Sequence, residues 1–306
     1  MTERRLRIAA VGLGDIACKA YLPVLAARAD IDLHLVTRDA STLQALGDAY
    51  RIANRHADPL SAIAAGLDGA FIHAATQAHP ALIQVFLDAG VPVYVDKPLA
   101  TDLATCERLA RMSEDTGVSL MVGFNRRYAP LYADLAGRPR DMILMQKNRA
   151  RSPDRARRIA FDDFIHVADT LRFLFPGEVR DTAIEVRVVD GELHHVALTL
   201  SGGGQVAIGI MNRMSGADEE RLEVIGGGAK RSVIDLARAI DRGTPDKATR
   251  RPDWRSATSM RGMDQICDRF LGAVKEEEYL SPRDALVSHA LCEAVVKQAV
   301  EAGARS

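Results

Sequence analysis

The seven residues "VGLGDIA", Val11 to Ala17, narrow what this chain can fold into more than any other stretch. Gly12, Gly14 and Ala17 stand at G-x-G-x-x-[GA] spacing, directly after the apolar run "RIAAVGL" (7–13) and before a helical pattern. In that setting each small residue has a task. Gly12 allows a tight turn, Gly14 lets the backbone approach a pyrophosphate, and Ala17 permits close helix packing. The helix start, with Asp15 and Ile16, offers unpaired N–H groups to phosphate oxygens. The expectation is a dinucleotide site at the end of the first strand of a parallel sheet.

The following hundred residues keep that rhythm. "IDLHLVT" (31–37), "GAFIHAA" (69–75) and "VPVYVD" (91–96) are short and largely apolar, as strands covered on both faces should be. Amphipathic stretches at 21–28, 41–50 and 79–89 separate them, and a helix at 103–116 followed by "VSLMVGF" carries the pattern to about residue 124. This is a β-α-β-α chain, hence a doubly wound parallel sheet. From Met142 the pattern changes to one strand, a loop and one helix (161–175). Strands at 183–189, 193–201, 205–212 and 220–225 follow, separated by "DGE", "SGGG" and "GGG". Close-set strands with glycine-rich breaks read as antiparallel hairpins. Two helices close the chain, 264–277 and 284–302, the second with Ser281 as N-cap and Pro282 as its first helical residue. The expected fold class is α/β: a Rossmann dinucleotide-binding domain over 1–123 and an α+β domain with a mostly antiparallel sheet over 124–306.

Charge and cysteines limit the partners. Lys plus Arg (40) nearly balances Asp plus Glu (41), which gives no support to nucleic-acid or membrane binding and favours a small-molecule substrate. Cys18, Cys106, Cys267 and Cys292 lie far apart, so neither a disulfide framework nor a metal site is expected, and a reducing cytoplasm fits. The basic residues before the first apolar run resemble an export signal, but Gly12, Gly14 and Asp15 interrupt that run and it reads as a strand.

Two further features carry chemistry. The second strand ends "LVTRDAS", with Val36 and Thr37 where an NAD-binding chain usually presents an acid, and Arg38 next. An arginine there suits a 2′-phosphate, so NADP is expected, while Asp39 leaves NAD open. Lys97 follows the strand 91–96 at its carboxyl end, where doubly wound sheets bind ligands. On position alone it is equally a surface lysine paired with Asp96. In the second half, Asp162, His166 and Asp169 are spaced i, i+4, i+7, one stripe of a helix, with Phe161, Phe164, Ala168, Leu171 and Phe175 opposite. That stripe is a solvated face or the wall of a cleft, and histidine is the usual proton carrier near neutral pH.

Taken together, Gly12-x-Gly14-x-x-Ala17, the triplet Asp96-Lys97-Pro98 and the D-x-x-x-H-x-x-D helix resemble the Gfo/Idh/MocA oxidoreductases. "VGLGDIACKAYLPVL", "VDKPLA", "LMVGFNRRYAPLY", "DDFIHVADT" and the run of Trp254, Ser256, Arg261 and Gly262 are similar to its MviM branch. The resemblance implies hydride transfer between NAD(P) and a secondary alcohol or ketone of a sugar, polyol or sugar derivative. It implies that Lys97 holds the reacting oxygen, that His166 is its general acid/base and that Asp162 orients them. It also implies cofactor contacts from Thr76, His79, Asp96, Lys97, Asn125 and Arg126, a cis bond before Pro98, and a homodimer or homotetramer built on the second sheet. Ala74-Ala75-Thr76 departs from the family's Thr-Pro-Asn, and Asp163 beside Asp162 leaves two carboxylates for one role. The loop 147–158 carries Arg149, Arg151, Arg155, Arg157 and Arg158; it fits an anionic or nucleotide-linked sugar, or is a solvated basic loop. A non-catalytic dinucleotide-binding regulator is the alternative reading.

Overall fold

The computed structural model describes residues 4–243 and 245–304. The chain divides into two compact units, Met1–Gly123 with Met263–Leu286, and Phe124–Gly262 with Val287–Ser306.

In the first unit, β1 (Leu6–Val11) leads through the glycine loop into a π turn (Ala17–Tyr21) and α1 (Leu22–Leu25). β2 (Ile31–Val36), α2 (Ala40–Tyr50), β3 (Asn54–His56), α3 (Pro59–Ala64), β4 (Gly69–Ile72), α4 (His79–Asp88), β5 (Val93–Asp96), α5 (Leu103–Thr116) and β6 (Leu120–Gly123) follow. The six strands form one parallel sheet in the order β3-β2-β1-β4-β5-β6. The order reverses between β1 and β4, which is where open α/β sheets bind ligands. All four β4 residues are buried, as a strand covered on both faces requires. Helix ends follow local chemistry: the Asp102 side chain accepts the Thr105 N–H at 2.8 Å to start α5, and Gly117 at φ 67° ends it. Neither β3 nor α3 was expected: "NRH" is short, polar and half-buried, and α3 is a six-residue helix marked only by its Asp58 cap and Pro59.

The second unit holds α6 (Pro130–Ala133), β7 (Met142–Asn148), α7 (Ala156–Ile159), a π turn (Ala160–Phe164) and α8 (Ile165–Leu174). Then come β8 (Asp181–Val189), β9 (Glu192–Gly202), β10 (Gln205–Asn212), β11 (Glu219–Gly226), β12 (Ala229–Ile234), β13 (Arg238–Arg242), β14 (Lys247–Arg250) and α9 (Ala257–Met260). Its eight-stranded sheet runs β14-β13-β12-β11-β7-β10-β9-β8, antiparallel except for the β7–β10 pair. His194 and His195 are ordinary residues of β9. β12 to β14 escape a pattern search because charged residues punctuate "AKRSVI", "RAIDR" and "KATR".

α10 (Met263–Lys275) and α11 (Arg283–Gly303) complete the chain. α10 groups with the first unit although it follows the second in sequence. Phe270 is the reason. It is fully buried, meets Phe71 edge-on at 4.9 Å and lies 5.9 Å from Tyr94, and burying such a ring contributes about 2–3 kcal/mol. No helix among the described residues is long and apolar enough to cross a membrane.

Candidate functional site

The glycine loop has the geometry its spacing predicts. Gly12 sits at φ +82°, and a Cβ there would come within 2.6 Å of the Ala74 backbone, so the loop is pressed against the segment after β4. Gly14 is the opposite case. A Cβ on it would meet nothing within 4 Å, which leaves its face open to a ligand. Ala17 is fully buried under the helix start, while Asp15 pairs with Lys19 at 2.6 Å and Ile16 is 43% exposed.

A cavity of about 540 Å³ opens beside this loop. Gly12 and Gly14 line it at one end, and Val36, Arg38, Pro59 and Leu82 are among the residues lining the remainder. Mostly apolar walls with a few convergent polar groups are what a nucleotide needs, and the open face of Gly14 leaves room for its pyrophosphate. These residues fit a dinucleotide. Arg38 is exposed on the cavity wall. Asp39 is engaged as the N-cap of α2: it accepts the Thr42 N–H at 3.0 Å and the Ser41 hydroxyl at 2.6 Å, which hold its carboxyl below its ordinary pKa. Thr76, half-buried, begins the short turn Thr76–Ala78 after β4.

Lys97 follows β5 directly, and the Lys97–Pro98 bond is cis. Behind it lies a buried polar cluster. Asp96 Oδ1 accepts the Lys97 N–H at 2.9 Å and the Tyr21 hydroxyl at 3.2 Å, and the Tyr21 hydroxyl also meets that of Tyr94 at 2.8 Å. Desolvation raises the Asp96 carboxyl, against the pull of the Lys97 charge and its N–H. His79 is buried, with Nδ1 2.8 Å from the Pro98 carbonyl and Nε2 3.0 Å from that of Ala74. It braces the two loops. His73 stacks on the Tyr21 ring at 3.8 Å and lines the cavity, and neither of its ring nitrogens has a hydrogen-bond partner. Burial pushes its pKa down to about 3, so it is a neutral imidazole.

In the second unit the polar stripe is narrower than its spacing suggests. Asp162 is exposed, with Arg158 at 3.7 Å, and His166 is half-buried. Asp169 is buried instead, gripped by both arms of Arg127 (2.6 and 2.9 Å) and by the Ser288 hydroxyl (2.8 Å). The π turn Ala160–Phe164 explains part of this, since a wider turn rotates residues after it out of simple α-helical register. Asp163 is the carboxylate that turns into a charge cluster, against Lys147 at 2.5 Å, Arg149 at 2.9 Å and Arg213 at 2.8 Å.

Two residues assigned to ligands by resemblance have internal partners. Arg126 is 5% exposed and places both arms on Glu220 at 2.8 and 2.7 Å. Asn125 donates to the Arg261 carbonyl at 2.7 Å. Three of the five arginines in the loop have internal partners, Arg149 with Asp163, Arg157 with Glu293 and Arg158 with Asp154, while Arg151 and Arg155 are exposed. Sequence reasoning missed Tyr21, His73 and Tyr94, and in the second unit Lys147 and Glu220. Of these, "VDK" with a tyrosine two residues earlier carried a faint signal, because Tyr94 and Asp96 must share one face of β5. Burial and the neighbouring Arg126 push Lys147 down to about 8, and Arg126 draws Glu220 down to about 2 although burial opposes it.

Residues 6–124 match the family described as "Oxidoreductase family, NAD-binding Rossmann fold", and residues 130–241 match "YceM-like, C-terminal domain". YceM of Salmonella typhimurium, an oxidoreductase by name, is 32% identical over 97% of this chain and 99% of its own. An inositol 2-dehydrogenase of Rhizobium meliloti is 28% identical over 97% of each chain. The crystal structure of a Gfo/Idh/MocA family oxidoreductase from Vibrio cholerae superposes with a TM-score of 0.91 at 31% identity, covering 97% of this chain and 98% of that one.

Proposed function

The chain belongs to the Gfo/Idh/MocA family of oxidoreductases, and on that premise we propose that it moves a hydride between NADP(H) and a secondary alcohol or ketone of a neutral sugar or polyol. It is an NAD(P)-dependent dehydrogenase acting on CH–OH groups. The observation that carries the reading is the first unit's own arrangement: a cavity bounded by Gly12 and the open face of Gly14, with Lys97 held at the carboxyl end of β5.

A bound nicotinamide supplies or accepts the hydride; the protein's residues handle the oxygen and its proton. Gly12, Gly14, Asp15 and Ile16 would hold the pyrophosphate with Ala17 packing the helix start behind them, Thr76 would flank it, and Arg38 would meet the 2′-phosphate. Lys97 donates to the reacting oxygen and stabilises the negative charge it carries once the alcohol proton has left and before the hydride departs. His166 takes the alcohol proton as general base, or returns it in the reductive direction, and Asp162 orients the imidazole. The internal pairing of Arg149, Arg157 and Arg158 favours a neutral substrate over an anionic or nucleotide-linked one. That agrees with the inositol dehydrogenase among the relatives.

The second sheet supports a further part of the reading, assembly. Met142 and Ile210 are 41% and 37% exposed on it, and a cavity of about 380 Å³ lies among Leu144, Ile208, Ile210 and Arg221. We propose that a second copy of the chain covers this face, which light scattering of wild type and Ile210→Glu tests: dimer or tetramer for the first, monomer for the second. A monomeric wild type overturns it.

The activity test is a screen of nicotinamide reduction over myo-inositol, hexoses, polyols, uronates and nucleotide sugars, with Lys97→Ala as control. Turnover on a neutral polyol, lost by about 10²-fold or more in Lys97→Ala while NADPH still binds, is the expected result. Fluorescence titration should give NADPH at least about tenfold tighter binding than NADH, equivalent to one extra charge-assisted contact. Activity retained without Lys97, or a preference for NADH, overturns the corresponding assignment.

A further inference from the structure

Tyr21 lies at the last position of the π turn Ala17–Tyr21, on the segment whose start borders the glycine loop. Single wide turns of this kind recur at functional sites because they re-aim one side chain without ending the helix. Here the side chain so aimed is 1% exposed. Its ring is clamped face to face on His73 at 3.8 Å and 25°, and edge-on against Tyr94 at 5.7 Å. Its hydroxyl ends 3.2 Å from Asp96 Oδ1 and 2.8 Å from the Tyr94 hydroxyl. The same Asp96 oxygen accepts the backbone N–H of Lys97 at 2.9 Å. One carboxylate oxygen therefore joins the segment after the glycine loop to the peptide from which the Lys97 side chain departs.

We infer that Tyr21 is a positioning residue for Lys97, acting through Asp96 Oδ1 to fix the backbone direction of the Asp96-Lys97-Pro98 turn. The inference rests on the reading of Lys97 as the group that meets the reacting oxygen. A lysine has four rotatable side-chain bonds, so its reach is controlled only if its starting point is fixed, and errors near 1 Å at a reacting centre cost about 10²-fold in rate. Tyr94 and His73 complete the device by holding Tyr21 in place: the first receives or gives a hydrogen bond, the second is a flat, neutral stacking partner. An aromatic ring alone would satisfy the packing. The hydroxyl is what the link to Asp96 needs.

Tyr21→Phe keeps the ring and removes the hydroxyl. Three measurements on the full-length protein separate positioning from structure. With a polyol that turns over in the screen, kcat measured well below Tm should fall about tenfold, the size of one hydrogen bond to a charged group, while KM for the polyol and the NADPH Kd stay at wild-type values and Tm drops by only about 2–4 °C. Competitive acetylation by acetic anhydride, read by peptide mass spectrometry, should show a changed rate at Lys97 but not at the exposed Lys275 and Lys297. Asp96→Asn weakens the same link from its other end, should give the same fall in kcat and the same change at Lys97, and replaces Tyr21→Phe if that variant does not fold. An unchanged kcat with an unchanged Lys97 acetylation rate overturns the proposal, as does a kcat that falls only in step with Tm. If wild type turns over none of the alcohols, the functional reading fails by itself, and the acetylation rate alone decides the positioning of Lys97.

Discussion

Single residues divide between those that shape the cofactor loop and those that leave room for a ligand. Gly12 and Gly14 illustrate both. Gly12→Ala places a side chain at φ +82° and 2.6 Å from the Ala74 backbone, strain of about 1–3 kcal/mol before any clash is counted. Its expected outcome is a lower Tm together with lost NADPH binding. Gly14→Ala meets nothing within 4 Å, so Tm should stay at its wild-type value while NADPH affinity falls, read by thermal melting and fluorescence titration on one preparation. Equal losses of stability in both variants would contradict the assignment of Gly14 to the ligand. The glycine spacing and the turn it makes were legible in sequence, because they are properties of neighbouring positions, whereas the press of Gly12 on Ala74 came from the fold. Arg126 was not: its neighbours in "FNRRY" say nothing of Glu220, ninety-four residues later.

Elements are held by such distant pairs. Glu220, on β11, accepts both arms of Arg126 and the Tyr132 hydroxyl at 3.1 Å, with Lys147 of β7 at 3.9 Å. Removing that charge strands the buried Arg126, while Lys147 keeps Asp163 at 2.5 Å, so Glu220→Gln should cost about 3–5 kcal/mol in urea unfolding. Replacing the cluster by apolar residues of matching volume would cost far less. A loss near zero for Glu220→Gln would mean that Arg126 finds another partner. Strand and helix positions themselves were readable where a sustained amphipathic or apolar pattern marked them, as at α5, whose observed bounds Leu103–Thr116 equal those expected. They were unreadable at β12 to β14, where charged side chains break any apolar period, β14 is exposed throughout and β12 buries Arg231 beside Val233.

At the scale of the whole molecule, each unit carries its own acid lability. His73 is held at about 3 in the folded first unit against an ordinary value of 6.5, so the unfolded chain binds the extra proton. This contribution is complete above pH 6.5 and is lost as pH falls toward 3, at about 1.4 kcal/mol per unit of pH. In the second unit, Asp163 and Glu220 are drawn to about 2 by their cations, so their contribution is complete above the ordinary carboxylate range and disappears as pH falls toward 2. Urea unfolding of the protein between pH 7 and pH 4 should show stability decreasing throughout, and His73→Phe should flatten the upper part of that curve. An unchanged slope in His73→Phe would remove His73 as its source. The sequence by itself determined the doubly wound sheet, the open glycine loop and the strand end that presents Lys97, because periodicity, spacing and turn chemistry act between neighbours. Only the tertiary structure decided that Asp163 is bound within a cation cluster, that Asp169 and Arg126 are buried in ion pairs, and that Tyr21 reaches Asp96. Those choices depend on partners from 14 to 119 residues away, brought together by the fold.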